Sequence, residues 1–311
     1  MGVILAAYEN HAGFNITSSK IQLVEINYKN SGFLLQNIDE VYFDERLKLT
    51  EDKETKIISV LQAAFNELLL KSKLNSKAAS FTLPPELFLN LQVPYDNTLL
   101  QQDLYEDIKW QLSVLYPYIF INDLVIQSIE IKSNRFIKFD SLLVSAIRRK
   151  YLHWLKYFCE GNNLKIKFID NSHFASERAL TSAHNLRNGN TLSVYISSRY
   201  ISFIFSSEDK PFLFKSIPYN SAAELPTIIL KETTPTDSIN INRSLFNNYF
   251  ISGEDITQSF VNSLNSAIEI NFKLFNPFEM IEPDPVLFEN ILYSKKASAF
   301  SPAAGIAFRI S

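Results

Sequence analysis

Hydrophobic positions in the first third of the chain alternate in short runs. Residues 13–16, 21–28 (IQLVEINY) and 33–43 (FLLQNIDEVYF) are rich in branched and aromatic side chains, which predicts three consecutive strands. Hydroxyl residues separate the first two, and the turn KNSG separates the last two. The period then changes. Ile57, Val60, Leu61, Ala64, Phe65, Leu68 and Leu69 recur at helical spacing and predict a helix over about 51–72, with Thr50 as its N-cap. From Ala78 to about Ser145 the pattern predicts a small α/β unit. Strand AASFTL ends at Pro84-Pro85 and strand LFLNLQV ends at Pro94. A helix follows Asp96 with Leu100, Leu104, Ile108 and Leu112 on one face, and then come strands at 124–131 and 141–147. A helix over 149–160, strand LKIKFI and a helix over 172–186 lead to Arg187-Asn188-Gly189-Asn190, where a domain boundary is expected.

Beyond that boundary the opening pattern returns. In TLSVYISSRYISFIF, Tyr195-Ile196-Ser197-Ser198 stands where the first half has Asn15-Ile16-Thr17-Ser18. A second strand, a turn and a third strand, FLFKSIPY, follow in both halves, which points to an internal duplication. The match is short, and many strand–turn pairs look alike. The chain continues with strand YFIS, a helix after Gly253 (Ile256, Phe260, Leu264, Ile268), strand INFKLF, and a helix from Ser301-Pro302.

Composition narrows the chemistry. Net charge is −3 with no basic stripe, which argues against a nucleic-acid partner; Arg148, Arg149 and Lys150 read as a solvated helix start. One cysteine, Cys159, excludes an internal disulfide and reads as structural. No apolar run reaches the ~18 residues of a membrane span, and the opening MGVILAAYENHAGF lacks the features of a signal peptide. Seven glycines in 311 residues is about 2%, against a usual ~7%. Glycine lets backbone approach a phosphate closely, so material for phosphate-cradling loops is scarce.

The residues carry a family likeness. Gly13-Phe14-Asn15-Ile16-Thr17-Ser18-Ser19-Lys20-Ile21-Gln22 followed by Val24-Glu25 resembles the opening of PilM, the actin-like cytoplasmic component of type IV pilus machinery, which reads Gly-Ile-Asp-Ile-Gly-Ser-Ser-Ser-Ile-Lys and then Val-Glu. FTLPPELFLNLQVP resembles its inserted subdomain, and SLLVSAIRRKYLHWLKYFCEGNNLKIKFID with FASERAL resembles the connection between its halves. Asn276-Pro277-Phe278 and AAGIAFR match near the end. The cytoplasmic domain of the type II secretion L protein is a close second. The resemblance implies an α/β, actin-like fold of two duplicated RNase H-like domains with mixed sheets, residues 1–188 and 189–311. The first would carry the small α/β insertion, about 78–145, and the second a truncated small lobe, because the 34 residues from Ile217 to Phe250 are polar and proline-bearing.

The resemblance also implies a nucleotide cleft and a groove for the N-terminal cytoplasmic tail of an inner-membrane partner. The nucleotide turns are altered. Asn15 replaces the strand-end carboxylate that a hard cation such as Mg²⁺ prefers, and Thr17 replaces the turn glycine beside Ser18, Ser19 and Lys20. Tyr195, Ser197 and Ser198 form the second turn. Ser252 and Gly253 form the third, with Glu254 and Asp255 after them as favourable charge at a helix start. These are expected to be vestigial, with no catalytic residue, no metal site and no cofactor, ATP with Mg²⁺ being the alternative. Phe81, Leu83, Phe88, Leu91 and Val93 are candidates for the partner groove, though core packing suits most of them. His173 and Glu177 read as an exposed pair one helical turn apart, and Asp170 as a helix cap.

Function follows as a non-catalytic scaffold of a pilus or secretion assembly, cytoplasmic and held at the inner membrane through its partner. Two other readings stay open: an ATP-binding actin-like ATPase of the same assembly, and an unrelated two-domain α/β enzyme.

Overall fold

The structure is a computed structural model that describes residues 10–309 apart from 30, 31, 185, 187, 188 and 236–240. The centre of the expected KNSG turn and Arg187-Asn188 of the expected boundary lie outside the described residues.

The first half opens with β1 (His11–Ile16), β2 (Lys20–Lys29) and β3 (Gly32–Tyr42), then α1 (Glu54–Lys71) and β4 (Ala78–Leu83). Ile57, Leu61, Ala64, Phe65 and Leu68 form the buried stripe of α1, as the periodicity predicts. Thr50 is not its cap; the helix starts three residues later behind Lys53, and Asp52 is occupied by the Lys48 N–H at 2.7 Å. Next come β5 (Phe88–Pro94), α2 (Gln101–Leu115), β6 (Leu124–Ile131) and β7 (Ser141–Arg148), then α3 (Arg149–Gly161), β8 (Lys165–Asn171) and α4 (Ser172–Ala183). The second half holds β9 (Asn190–Ile196), β10 (Tyr200–Ser207), β11 (Lys210–Pro218), α5 (Leu225–Glu232), β12 (Asn248–Gly253), α6 (Gln258–Ile268), β13 (Lys273–Leu274), β14 (Glu282–Pro283), α7 (Ile291–Lys296) and α8 (Ser301–Ala307).

The two large sheets share one plan. Along the first, β3-β2-β1-β4-β8 has two antiparallel pairings and then two parallel ones; along the second, β11-β10-β9-β12-β13 repeats that sequence. A register shift falls in the same place, between Glu25 and Ile26 in β2 and between Phe205 and Ser206 in β10. The duplication expected from the short turn motif is therefore carried by the whole sheet.

One boundary moves. Strand 78–83, grouped above with the inserted unit, pairs in parallel with β1, Phe14 opposite Phe81, and so belongs to the large sheet. The insertion proper is the three-stranded sheet β5-β7-β6 with α2 over one face. Its segment 131–143 reaches the second half, where Phe136 stacks on Phe212 with centroids 4.6 Å apart and joins that core. The interval 217–250 contains α5, whose Leu225 and Ile229 are buried in the same core.

Helices α4 and α8 lie between the sheets. A third core lies there: Val24, Ile26, Leu35 and Ile38 of the first sheet and Phe250 of the second pack with Ala179, Leu180, Ala303, Ala304 and Ala307 of the two helices, while Phe14 and Ile16 point into the first core and Leu192, Val194 and Ile196 into the second. Contact is so close that a Cβ on Gly305 would fall 1.7 Å from the Ala175 carbonyl oxygen, and one on Gly13 2.1 Å from that of Ala303. The chain end thus crosses back: α8 packs on β1, and β14 pairs with β3. Residues from Glu282 onward lie against the first sheet although they follow the second in sequence.

Candidate functional site

Two hairpin turns face each other between the halves. In the first, the Thr17 N–H donates to the Lys20 carbonyl at 2.9 Å, and the Ser19 and Lys20 N–H groups both donate to the Thr17 hydroxyl at 3.1 Å. In the second, the Ser197 N–H donates to the Tyr200 carbonyl at 2.8 Å and the Tyr200 N–H to the Ser197 hydroxyl at 3.1 Å. Thr17 and Ser197 thus hold equivalent positions, and each hydroxyl takes up backbone donors of its own turn. The turns meet at their tips, Ser18 Oγ lying 3.3 Å from Ser198 Oγ.

Lys20 is fully buried and neither solvated nor free. Its ammonium donates to Glu40 at 3.0 Å and to Asp255 at 2.7 Å, and these acids hold its pKa above the usual lysine range despite burial. Asp255 adopts φ +56° to make this contact. It is not at a helix start, because α6 begins later behind Thr257, whose side chain accepts from the Phe260 N–H. Gly253, at φ +151°, is required by close backbone passage: a Cβ there would lie 2.2 Å from the Ile196 carbonyl oxygen. Burial and the nearby Glu86 push the Glu254 carboxyl up to about 7.

Asn15 is buried and committed. Its amide nitrogen donates to Gln22 at 2.9 Å, and its oxygen accepts from Thr82 at 2.8 Å and Ser172 at 3.1 Å. Ser252 bonds Ser176, which bonds Ser301, so strand β12, α4 and α8 share one hydroxyl chain. Tyr195 is buried and stacks on His173.

Elsewhere a groove of about 510 Å³ opens where the insertion meets both halves. Its walls are the face of the inserted sheet opposite α2 (Phe88, Val125, Leu143, Ile147), β8 (Ile166, Ile169) and the second half (Ile204, Phe214). Strands β6, β8 and β11, each the outermost of its sheet, contribute residues to its lining. Of the five groove candidates only Phe88 is here. Phe81 and Leu83 are completely buried in the first core, and Val93 and Leu91 pack under α2. Strand alternation sends successive residues to opposite faces, and α2 covers the face that holds Leu91 and Val93.

Polar groups on and beside this groove differ from the sequence expectation. Asp170 does not cap α4; Asn171 does, accepting the His173 N–H at 2.8 Å, and Asp170 is bridged by Arg178 at 3.7 Å and Arg309 at 3.5 Å. His173 and Glu177 are buried rather than exposed, and each bonds serines of the second sheet instead of the other. Burial lowers His173 to about 3 and raises Glu177 to about 7. The sequence carries a signal for this: Thr191 and Ser193 are two apart on one apolar strand and Ser202 and Ser206 four apart on the next, and each even spacing puts the hydroxyls on one strand face. Cys159 is buried, its thiol pushed up to about 12, as suits a structural residue.

Two halves of one strand plan, each opened by a hydroxyl-locked hairpin and clasping a pair of crossed helices, define an actin-like ATPase fold. The chain belongs to the type IV pilus assembly protein PilM family, whose sequence pattern matches residues 13–196. Comparison with curated protein sequences finds no match. Among solved structures, the PilM–PilN type IV pilus biogenesis complex is similar over 96% of this chain and 98% of that one, with 16% identity and a TM-score of 0.74. A Bacteroides thetaiotaomicron protein of actin-like ATPase fold and unknown function (11% identity, TM-score 0.51, 87% and 93% covered) is also similar. So is the ethanolamine utilization protein EutJ from Carboxydothermus hydrogenoformans (8% identity, TM-score 0.54, 96% and 89% covered). The likeness to the family is not coincidental, and the reading as an unrelated two-domain enzyme falls. Among the described residues no helix is long and apolar enough to cross a membrane.

Proposed function

We propose that this chain is a non-catalytic scaffold of the pilus assembly, placed on the cytoplasmic side of the inner membrane by holding the N-terminal cytoplasmic tail of a membrane partner. The carrying observation is a contrast within one molecule: the nucleotide frame is closed on itself, while a separate apolar groove is open. Three features speak against a bound triphosphate. The turn N–H groups that would cradle a phosphate are spent on Thr17 and Ser197. The cation of the first turn, Lys20, is neutralised by two acids. Glu254 and Asp255 face the position an anion would take, where like charges repel. The described residues do not fit ATP with Mg²⁺, and no step is assigned to it.

The groove has the size of a ligand site, in the range of ~300–1,000 Å³. Three sheet edges and an apolar lining suit an extended apolar peptide, bound through its backbone and through pockets for alternate side chains. That the PilM–PilN structure is a complex supports the choice of partner. The test is titration calorimetry of the full chain against synthetic N-terminal segments of single-span membrane proteins encoded beside it, and separately against Mg-ATP. A saturable isotherm with one segment and none with Mg-ATP is expected. The reverse result would overturn the proposal.

A further inference from the structure

One corner of the groove is basic. Lys167 and Asp170 on β8, Arg178 on α4 and Arg309 beyond α8 all line it. Both guanidiniums are drawn to a single carboxylate oxygen, Asp170 Oδ2, with Arg178 Nη2 at 3.7 Å and Arg309 Nη1 at 3.5 Å. The first distance is beyond hydrogen-bond length and the second is at its limit. The other Asp170 oxygen accepts the Asn171 N–H at 2.8 Å. Glu177, the remaining acid of the lining, bonds Ser206 and so turns to the second sheet. Even with Glu177 counted, the lining carries three cations against two acids. The two arginine side chains are 40% and 29% exposed, so neither is closed off from a ligand. Arg309 is held in place over the Phe168 ring, 4.3 Å from its centroid. Burial, outweighing the attraction of Asp170, holds Arg178 below its usual value, and the charge of Arg309 adds to this. Two planar forks crowded on one carboxylate leave donors unused, and such a fork matches a carboxylate in geometry as well as in charge.

We propose that the Arg178–Arg309 corner is the specificity element of the groove, and that it selects a docked segment which is apolar except for one acidic side chain, whose carboxylate lies against the two guanidiniums. The inference rests on the docking reading given above. Charge complementarity decides the occupant: an acid entering the corner balances the surplus charge, whereas a lysine there adds a fourth cation. The apolar walls supply the area, and the corner fixes the register of the segment. Because the arginines are partly solvated, the pairing falls at the weak end of charge-assisted hydrogen bonds. It favours an acid about tenfold over its neutral isostere at low salt, and less as salt screens it.

The test uses the full chain and synthetic eight-residue peptides of Leu, Ile and Val with a Gly-Ser tail, acetylated and amidated so that the varied residue carries the only charge. Each position in turn holds Glu, Gln or Lys, and binding is read by titration calorimetry at low and at high salt. One position is expected at which Glu binds about tenfold tighter than Gln and Lys binds more weakly than Gln, both differences shrinking at high salt. Arg178→Gln and Arg309→Gln should each bring Glu to within about threefold of Gln while leaving the affinity of the Gln peptide unchanged. If one variant does not fold, the other decides. A Glu advantage absent at every position, or one that survives either substitution, overturns this inference and leaves the docking reading standing. Absence of binding by every peptide overturns both.

Discussion

Lys20 and Asp255 join the two halves through a 2.7 Å ion pair in which one partner is fully buried and the other is 52% exposed. Lys20 closes the first hairpin turn, and Asp255 follows Gly253 of the opposite half, so the buried cation of one half is paired by a carboxylate of the other.

The pair should respond unevenly to mutation. Lys20→Ala leaves Glu40 buried with only Lys296 and Gln22 for company and should cost about 3 kcal/mol. Asp255→Asn should cost less than about 1 kcal/mol, since that side chain is solvated. Urea denaturation of both variants checks this; equal losses would show that the interlobe contact, and not the buried cation, carries the energy.

The junction between α4 and α8 should tolerate no added methyl. Gly305→Ala places a Cβ on the Ala175 backbone, which cannot be relieved by a rotamer change, and should destabilise by about 3 kcal/mol. Gly161→Ala meets open space and serves as the control. Thermal unfolding of the two variants should separate them clearly.

Core and groove are separable by mutation. Phe81→Ala opens a cavity beneath Phe14 and Phe158 and should cost about 3–5 kcal/mol. Ile129→Glu, on a half-exposed wall of the groove, should change stability by less than about 1 kcal/mol yet abolish partner binding. Retained binding by Ile129→Glu would move the docking site elsewhere.

Stability against pH should reveal two buried groups working in opposite senses. Glu177 has its folded pKa raised, from 4.5 to about 7, so its contribution is present at low pH and is lost as pH rises between these values. His173 has its folded pKa lowered, from 6.5 to about 3, so its contribution is present above 6.5 and is lost as pH falls toward 3. Between 4.5 and 6.5 the two slopes oppose each other. In Glu177→Gln the falling slope of Glu177 is gone while the slopes of His173 and Glu254 remain, and stability should climb with pH there by up to about 1.4 kcal/mol per unit relative to wild type. Denaturant midpoints across that window test it; parallel curves for the two proteins would refute the Glu177 assignment.

How much was legible varied with the kind of residue. Strands and helices were readable from periodicity because period two and period 3.6 are local consequences of which face is buried. The apolar stripe marks α1, and the hydroxyl turn at Thr17 recurs at Ser197 in the sequence itself. The groove was not readable. Leu91 and Val93 are as apolar as Leu143 and Ile147, and nothing local says that α2 covers one face of that small sheet and leaves the other open. Lys20 reads locally as a residue of a vestigial nucleotide turn, and one of the two acids that engage it lies 235 positions away.

The sequence by itself determined the elements, the repeated turn and the scarcity of glycine for phosphate loops, since each depends on a residue and its near neighbours. Only the tertiary structure decided which apolar strand face stays open, which acid meets Lys20 and which serines hold His173 and Glu177. Those outcomes depend on burial and on charge pairs between distant segments, and neither exists until the two halves close on α4 and α8.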